Sequence, residues 1–148
     1  MSVPFRTRVR RGPRGRHATN RGQALVEFAL VAPVLLLLLF AIVDFARAWN
    51  TYQVLTDAAR EGARVAVIDD PGIVEADVRT VITDALDRAS LDQAETTVQI
   101  LGFRSGRGNP TTVRIEYRYQ LGLVGAFIAF AQGDEVLTLI TEIVMRNE

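Results

Sequence analysis

A glycine at position 22 and a carboxylate at position 27 frame the most reactive arrangement in this chain. Glu27 opens an apolar run: Phe28 to Val43 carries no polar side chain, and the next charge is Asp44. A carboxylate inside a hydrophobic helix is unfavourable by about 3 kcal/mol or more, so it marks a functional position unless something neutralises it. Gly22 is a small residue at the mouth of this run, and hydrolysis after it would create an ammonium group on Gln23. That ammonium would lie one helical turn from Glu27, on the same chain or a neighbouring one, and would be a natural partner for it. Other chemistry is scarce. The only histidine is His17 and there is no cysteine, so no thiolate or transition-metal site, disulfide or histidine-based hydrolase is expected. The glycine-rich stretch Gly102 to Asn109 lacks the Gly-Lys-Ser/Thr ending of a phosphate loop. The composition predicts no cofactor, no metal and no enzymatic activity.

The charge distribution surrounds this arrangement asymmetrically. Seven arginines, at positions 6, 8, 10, 11, 14, 16 and 21, and no acid precede Gly22, while the rest has ten arginines against seventeen Asp and Glu. Nucleic-acid binding by the basic end is disfavoured, because its Arg/Gly/Pro run lacks interleaved aromatics for base stacking. Positive charge flanking a first hydrophobic helix stays cytoplasmic. Residues 1–22 therefore read as a basic cytoplasmic leader, 23–48 as a transmembrane helix and 49–148 as an extracytoplasmic domain. Ala24 to Ala46 gives about 34 Å of helix at about 1.5 Å per residue, enough for a bilayer core of about 30 Å. Pro33 should kink it. The Arg10-Arg11 pair suits a twin-arginine signal poorly, since Gly-Pro follows it.

Three readings of the segment stay open on the residues alone. In a plain signal anchor, Glu27 is merely interfacial. In a cleaved secretory signal, Ala46-Arg47-Ala48 supplies the small-x-small site, although Asp44 and Arg47 crowd it and helical patterning runs straight through. In a prepilin, a dedicated peptidase cuts on the cytoplasmic side after Gly22 and leaves the hydrophobic helix on the mature chain. The third reading accounts for Glu27.

Beyond the apolar run, Ala48, Tyr52, Leu55, Ala59, Gly62, Ala63 and Ala66 recur at helical spacing. Asp57, Arg60, Glu61 and Arg64 form a polar face able to pair at i,i+3. Ala58, Gly62 and Ala66 form a small-x-x-x-small row that admits another helix closely, or packs on the protein's own sheet. One helix from Ala24 to about Ile68 would be about 67 Å long, ended by Asp69-Asp70-Pro71-Gly72. A second helix follows, with Val74, Val78, Val81, Ile82, Ala85 and Ala89 on one face. Near residue 96 the period changes to two. Thr97 to Phe103, the alternating run Val113, Ile115, Tyr117, Tyr119 and Leu121, and Glu135 to Met145 predict a three-stranded antiparallel sheet. The expected class is α+β and pilin-like, with the second helix and sheet on the projecting half of the long helix. Leu121 to Ala131 is almost wholly apolar and too short to span a bilayer; it covers the sheet or lies on the membrane.

The blocks Gly22-Gln-Ala-Leu-Val-Glu27-Phe28, Val43-Asp-Phe-Ala-Arg-Ala48 and Ala58-Ala-Arg-Glu-Gly-Ala-Arg64 together resemble the TadE-like family, membrane-anchored proteins associated with tight-adherence (Tad) pili. Glu142-Ile-Val-Met-Arg146 adds a weaker likeness. The resemblance implies a pseudopilin or minor pilin. It implies processing between Gly22 and Gln23, with Glu27 the assembly carboxylate of a Gly-x-x-x-x-Glu motif; Phe28 stands where tyrosine is frequent. The partners it implies are a prepilin peptidase, other pilin-like subunits, the pilus assembly platform and membrane lipid, with no nucleic acid. The implied location is single-pass in a bacterial cytoplasmic membrane. The rival is a permanently anchored extracytoplasmic interaction domain unrelated to any filament.

Overall fold

The computed structural model describes residues 17–122, 124–125 and 136–147, with side chains from residue 22 onward. The first sixteen residues of the basic leader, most of the apolar stretch 121–131, and Glu135 lie outside the described residues. The chain divides into two compact units, Met1–Leu37 and Leu38–Glu148.

Helix α1 spans His17–Ala66 and carries Pro33 inside it. It begins seven residues before the expected Ala24 and stops two short of Ile68. Pro71 disfavours a helical residue before it, and the Asp70 carboxylate instead accepts the Gly72 N–H at 2.8 Å to form a turn. Helix α2, Glu75–Arg88, starts where the Asp77 carboxylate accepts the Val74 N–H at 2.8 Å. Its first-turn acids and last-turn Arg88 suit the helix dipole. It ends in a Schellman pair, Ser90 N–H to Asp87 O and Leu91 N–H to Leu86 O, with Ser90 left-handed at φ 57°. A short 3₁₀ turn at Gln93–Glu95, capped by Asp92, leads into the sheet.

Strands β1 (Thr96–Leu101), β2 (Pro110–Gln120) and β3 (Val136–Arg146) form an antiparallel meander in chain order. Val98 faces Ile115, and Ile115 faces Thr141. β1 stops short of the expected Phe103 because Gly102 takes φ +74°, a conformation that leaves the strand. β3 runs one residue beyond the expected Met145. The period-two pattern of β2 is realised: Val113 and Ile115 are fully buried while Arg114 and Glu116 pair on the opposite face at 2.7 Å.

The core of the second unit joins Leu55, Ala58, Ala59, Ala63 and Ala66 of α1 with Val78, Ile82 and Leu86 of α2 and Val113 and Ile115 of β2. Thr56 of α1 meets Thr141 of β3 at 3.3 Å, and Arg79 of α2 donates to Val98 O of β1 at 3.0 Å. Both helices thus cover one face of the sheet, and the class is α+β. Asp57 and Arg60 pair at 3.1 Å, whereas Glu61 reaches Arg88 of α2 at 3.4 Å rather than Arg64. These pairs are exposed and contribute little.

Candidate functional site

Gly22, Gln23 and Glu27 lie within one stretch of α1. Among the described residues, a side chain built on Gly22 would meet nothing within 4 Å. The Gln23 side-chain amide donates to Glu27 Oε1 at 3.0 Å. The pairing is the ordinary i,i+4 contact of a helix surface, and it gives the carboxylate a neutral partner in the uncut chain. Around it the apolar residues face outward, with Leu25, Val26, Phe28 and Leu30 between 62% and 73% exposed. Among the described residues this is one helix long and apolar enough to cross a membrane, and none of its most apolar window is buried.

The small row lies in the second unit. Ala58 and Ala66 are buried, and Gly62 sits against α2 of the same chain. A Cβ on Gly62 would fall 2.6 Å from both Cγ1 and Cδ1 of Ile82, and 3.7 Å from Val78 Cγ1. The close approach that this spacing permits is occupied, at Gly62, from within the protein.

Three features at the end of the apolar run were not anticipated. Asp44 is only 3% exposed, and its Oδ2 accepts the Val124 N–H at 2.9 Å. Gly122 lies against the other oxygen, where an added Cβ would come within 2.6 Å of Oδ1. Beginning at the next residue, Phe45 and Trp49 stack with ring centroids 6.3 Å apart, and Trp49 meets Tyr52 at 5.9 Å. A lone carboxylate closing an apolar run is a signal that it needs a partner. The partner, 80 residues away, has no signature of its own.

Tyr119 stands near this carboxylate. Burial pushes its phenol above the ordinary 10.0, the Asp44 charge and Tyr117 add to the rise, and the Arg47 guanidinium opposes it. The folded value exceeds the unfolded one, so the stability Tyr119 contributes is fully present below pH about 10 and is lost as pH rises through the folded value. Asp44→Asn should move its ionisation part-way back down, read as tyrosinate absorbance against pH. An unchanged titration would mean that the Asp44 charge does not act on this phenol.

A second polar cluster ties the far end of the sheet. Asn147 Oδ1 accepts from the fully buried Thr111 hydroxyl at 2.6 Å, and Asn147 Nδ2 donates to Ser105 Oγ at 3.2 Å and toward the Gly102 and Gly106 carbonyls at 3.4 Å. It holds the β1–β2 hairpin loop against the end of β3.

Residues 22–64 match the family model described as TadE-like protein. The match covers less than a third of the chain, spans all three helical blocks and ends before the sheet, so it does not include Glu142–Arg146. No curated protein and no solved structure matches the chain.

Proposed function

We propose, taking as premise a TadE-like helix whose exposed apolar surface surrounds Glu27, that this protein is a pseudopilin or minor pilin of a Tad-type pilus or related secretion system. The family match with its Tad association suggests a pilus-related membrane protein, and the single observation that carries the finer reading is Glu27 itself. It lies on an otherwise apolar exposed helix, and among the described residues its hydrogen-bond partner is the Gln23 amide. Its role is to receive the ammonium group released when a prepilin peptidase cuts between Gly22 and Gln23, on its own chain or on a neighbouring pilin-like subunit. The protein acts by assembly with such subunits and the pilus platform rather than by catalysis. It sits once in a bacterial cytoplasmic membrane, with the arginine-rich end inside and the sheet-bearing unit outside.

Mass spectrometry of the mature N-terminus tests processing, and two variants separate the readings. Gly22→Arg should leave the precursor uncut, because a bulky cation does not fit a subsite shaped for glycine. Glu27→Ala removes the unfavourable charge, so the chain should insert at least as well and still be cut; its co-purification with partner subunits should be lost. Normal co-purification of Glu27→Ala would refute the assembly role. A mature chain starting at Trp49 would refute the pilin reading altogether, and an uncut wild-type chain in a peptidase-positive host would leave a plain signal anchor. A C-terminal phosphatase fusion should be active, as the proposed orientation requires.

A further inference from the structure

The one buried charged side chain among the described residues lies where α1 leaves its apolar run. Asp44 follows Val43 directly; its Oδ2 accepts the Val124 N–H of the chain returning from β2 at 2.9 Å, and its Oδ1 lies close to Gly122 of the same return. The return is therefore clamped onto α1 at the level of the last apolar turn. On the same helix, Ile42, Phe45 and Trp49 stand 58%, 69% and 53% exposed, and the two rings stack. Large aromatic rings left uncovered at the end of an apolar span suit the lipid headgroup boundary, where an apolar body and a polar edge are both satisfied. Arg47, between the two aromatics in sequence, adds a cation that can reach lipid phosphates from an apolar stem.

We infer that the exit of α1 and the returning chain at Gly122 and Val124 form one collar seated in the lipid headgroup boundary, with Asp44 as its clasp. The sheet-bearing unit then holds the bilayer at two places far apart in sequence, and its depth and tilt are set by both. The inference rests on the reading that α1 spans a membrane. Lipid is the occupant because the aromatic surface is continuous along the helix with the apolar residues that the bilayer would surround.

Trp49 is the chain's only tryptophan, so its fluorescence reports one position. The full chain is reconstituted in phosphatidylcholine/phosphatidylglycerol vesicles whose acyl chains are brominated either near the headgroup or near the tail end. Trp49 should be quenched more by the shallow bromines. Val124→Trp combined with Trp49→Phe moves the probe to the return, and Leu121→Trp with Trp49→Phe gives a second probe there. Both should be quenched by shallow bromines. That quenching should be lost on adding Asp44→Ala and kept with Asp44→Asn, whose amide oxygen still accepts a hydrogen bond. Resistance to alkaline carbonate, measured on the same vesicles, reports insertion separately. A chain that carbonate extracts would overturn the membrane reading itself. An inserted chain whose Trp49 or return probe ignores the bromines would overturn the collar alone, including the case of a dry, blue-emitting return covered by protein. Quenching unchanged by Asp44→Ala would remove Asp44 from the role of clasp.

Discussion

Gly62→Leu should leave the sheet-bearing unit unfolded. At this crossing a single added carbon already lies 2.6 Å from two atoms of Ile82, and Ile82 is fully buried. Its Cγ1 is near the backbone and cannot swing aside as a side-chain tip would. Adding methylenes to a close-packed site costs about 1–3 kcal/mol when it can relax, and a whole leucine here must push the two helices apart. Total stability is only about 5–15 kcal/mol for a domain, so most of it would be lost. Thermal unfolding of the detergent-solubilised full chain, followed by circular dichroism, measures this. Ile82→Ala should cost about 2–5 kcal/mol alone, yet partly rescue Gly62→Leu by vacating the volume the leucine needs, giving a coupling of about 0.5–3 kcal/mol. A Gly62→Leu chain that melts like the wild type would disprove the tight crossing.

Gly102→Val should be the next most damaging change. Gly102 holds φ +74°, and a Cβ there would collide with the backbone carbonyl oxygen of Pro110. The left-handed conformation costs an L-residue about 1–2 kcal/mol, more when β-branched. The collision is with main chain held in β2, so the hairpin itself must open. The Thr111 hydroxyl donates to Asn147 Oδ1 and lies within hydrogen-bond reach of Gly102 O at 2.9 Å, so the shift would also pull on the cluster that ties the end of β3. A loss of several kcal/mol is expected, seen as a lower unfolding midpoint. Thr97→Val, at an exposed outer-face position of β1, should change the midpoint little. Equal midpoints for Gly102→Val and the wild type would show that the loop adopts another path.

How much of this was legible depends on the distance between cause and effect in the chain. The α+β class was readable because local periodicity reports it: residues at spacings of three and four in α1 and α2, and alternation through Val113, Ile115 and Tyr117 in β2. Element ends were less readable. Leu101 and Phe103 extend an apolar run across Gly102, and only the backbone angle there shows that the strand has finished. The helix starts before the basic end's charge pattern finishes, because charge sets topology, not backbone conformation. The small row at Ala58, Gly62 and Ala66 announced a close approach by another helix or by the protein's own sheet; at Gly62 the neighbour is α2 of the same chain, through Ile82. Asp44 and Asn147 were beyond reach, since a hydrogen bond to a main-chain N–H or C=O leaves no mark on the partner's residue type. Gln23 and Glu27 could be singled out because their spacing is local, although the side-chain amide contact between them was not foreseen.

The bond between Gly22 and Gln23 lies inside α1, which already begins at His17. In a helix each carbonyl is bonded along the axis and the backbone is coiled, so a hydrolase that must lay its substrate out straight cannot engage that bond until the first turns unwind. Helix ends fray at nearly no cost, and glycine at position 22 makes unwinding easier by about 1 kcal/mol relative to alanine, a factor of about five in the open population. Glycine there would then act as a timer as well as a fit. Were the proposed peptidase to cut this bond, glycine would keep the chain openable for as long as cutting takes, and a tighter-winding residue would lengthen the wait even where the peptidase could accommodate it.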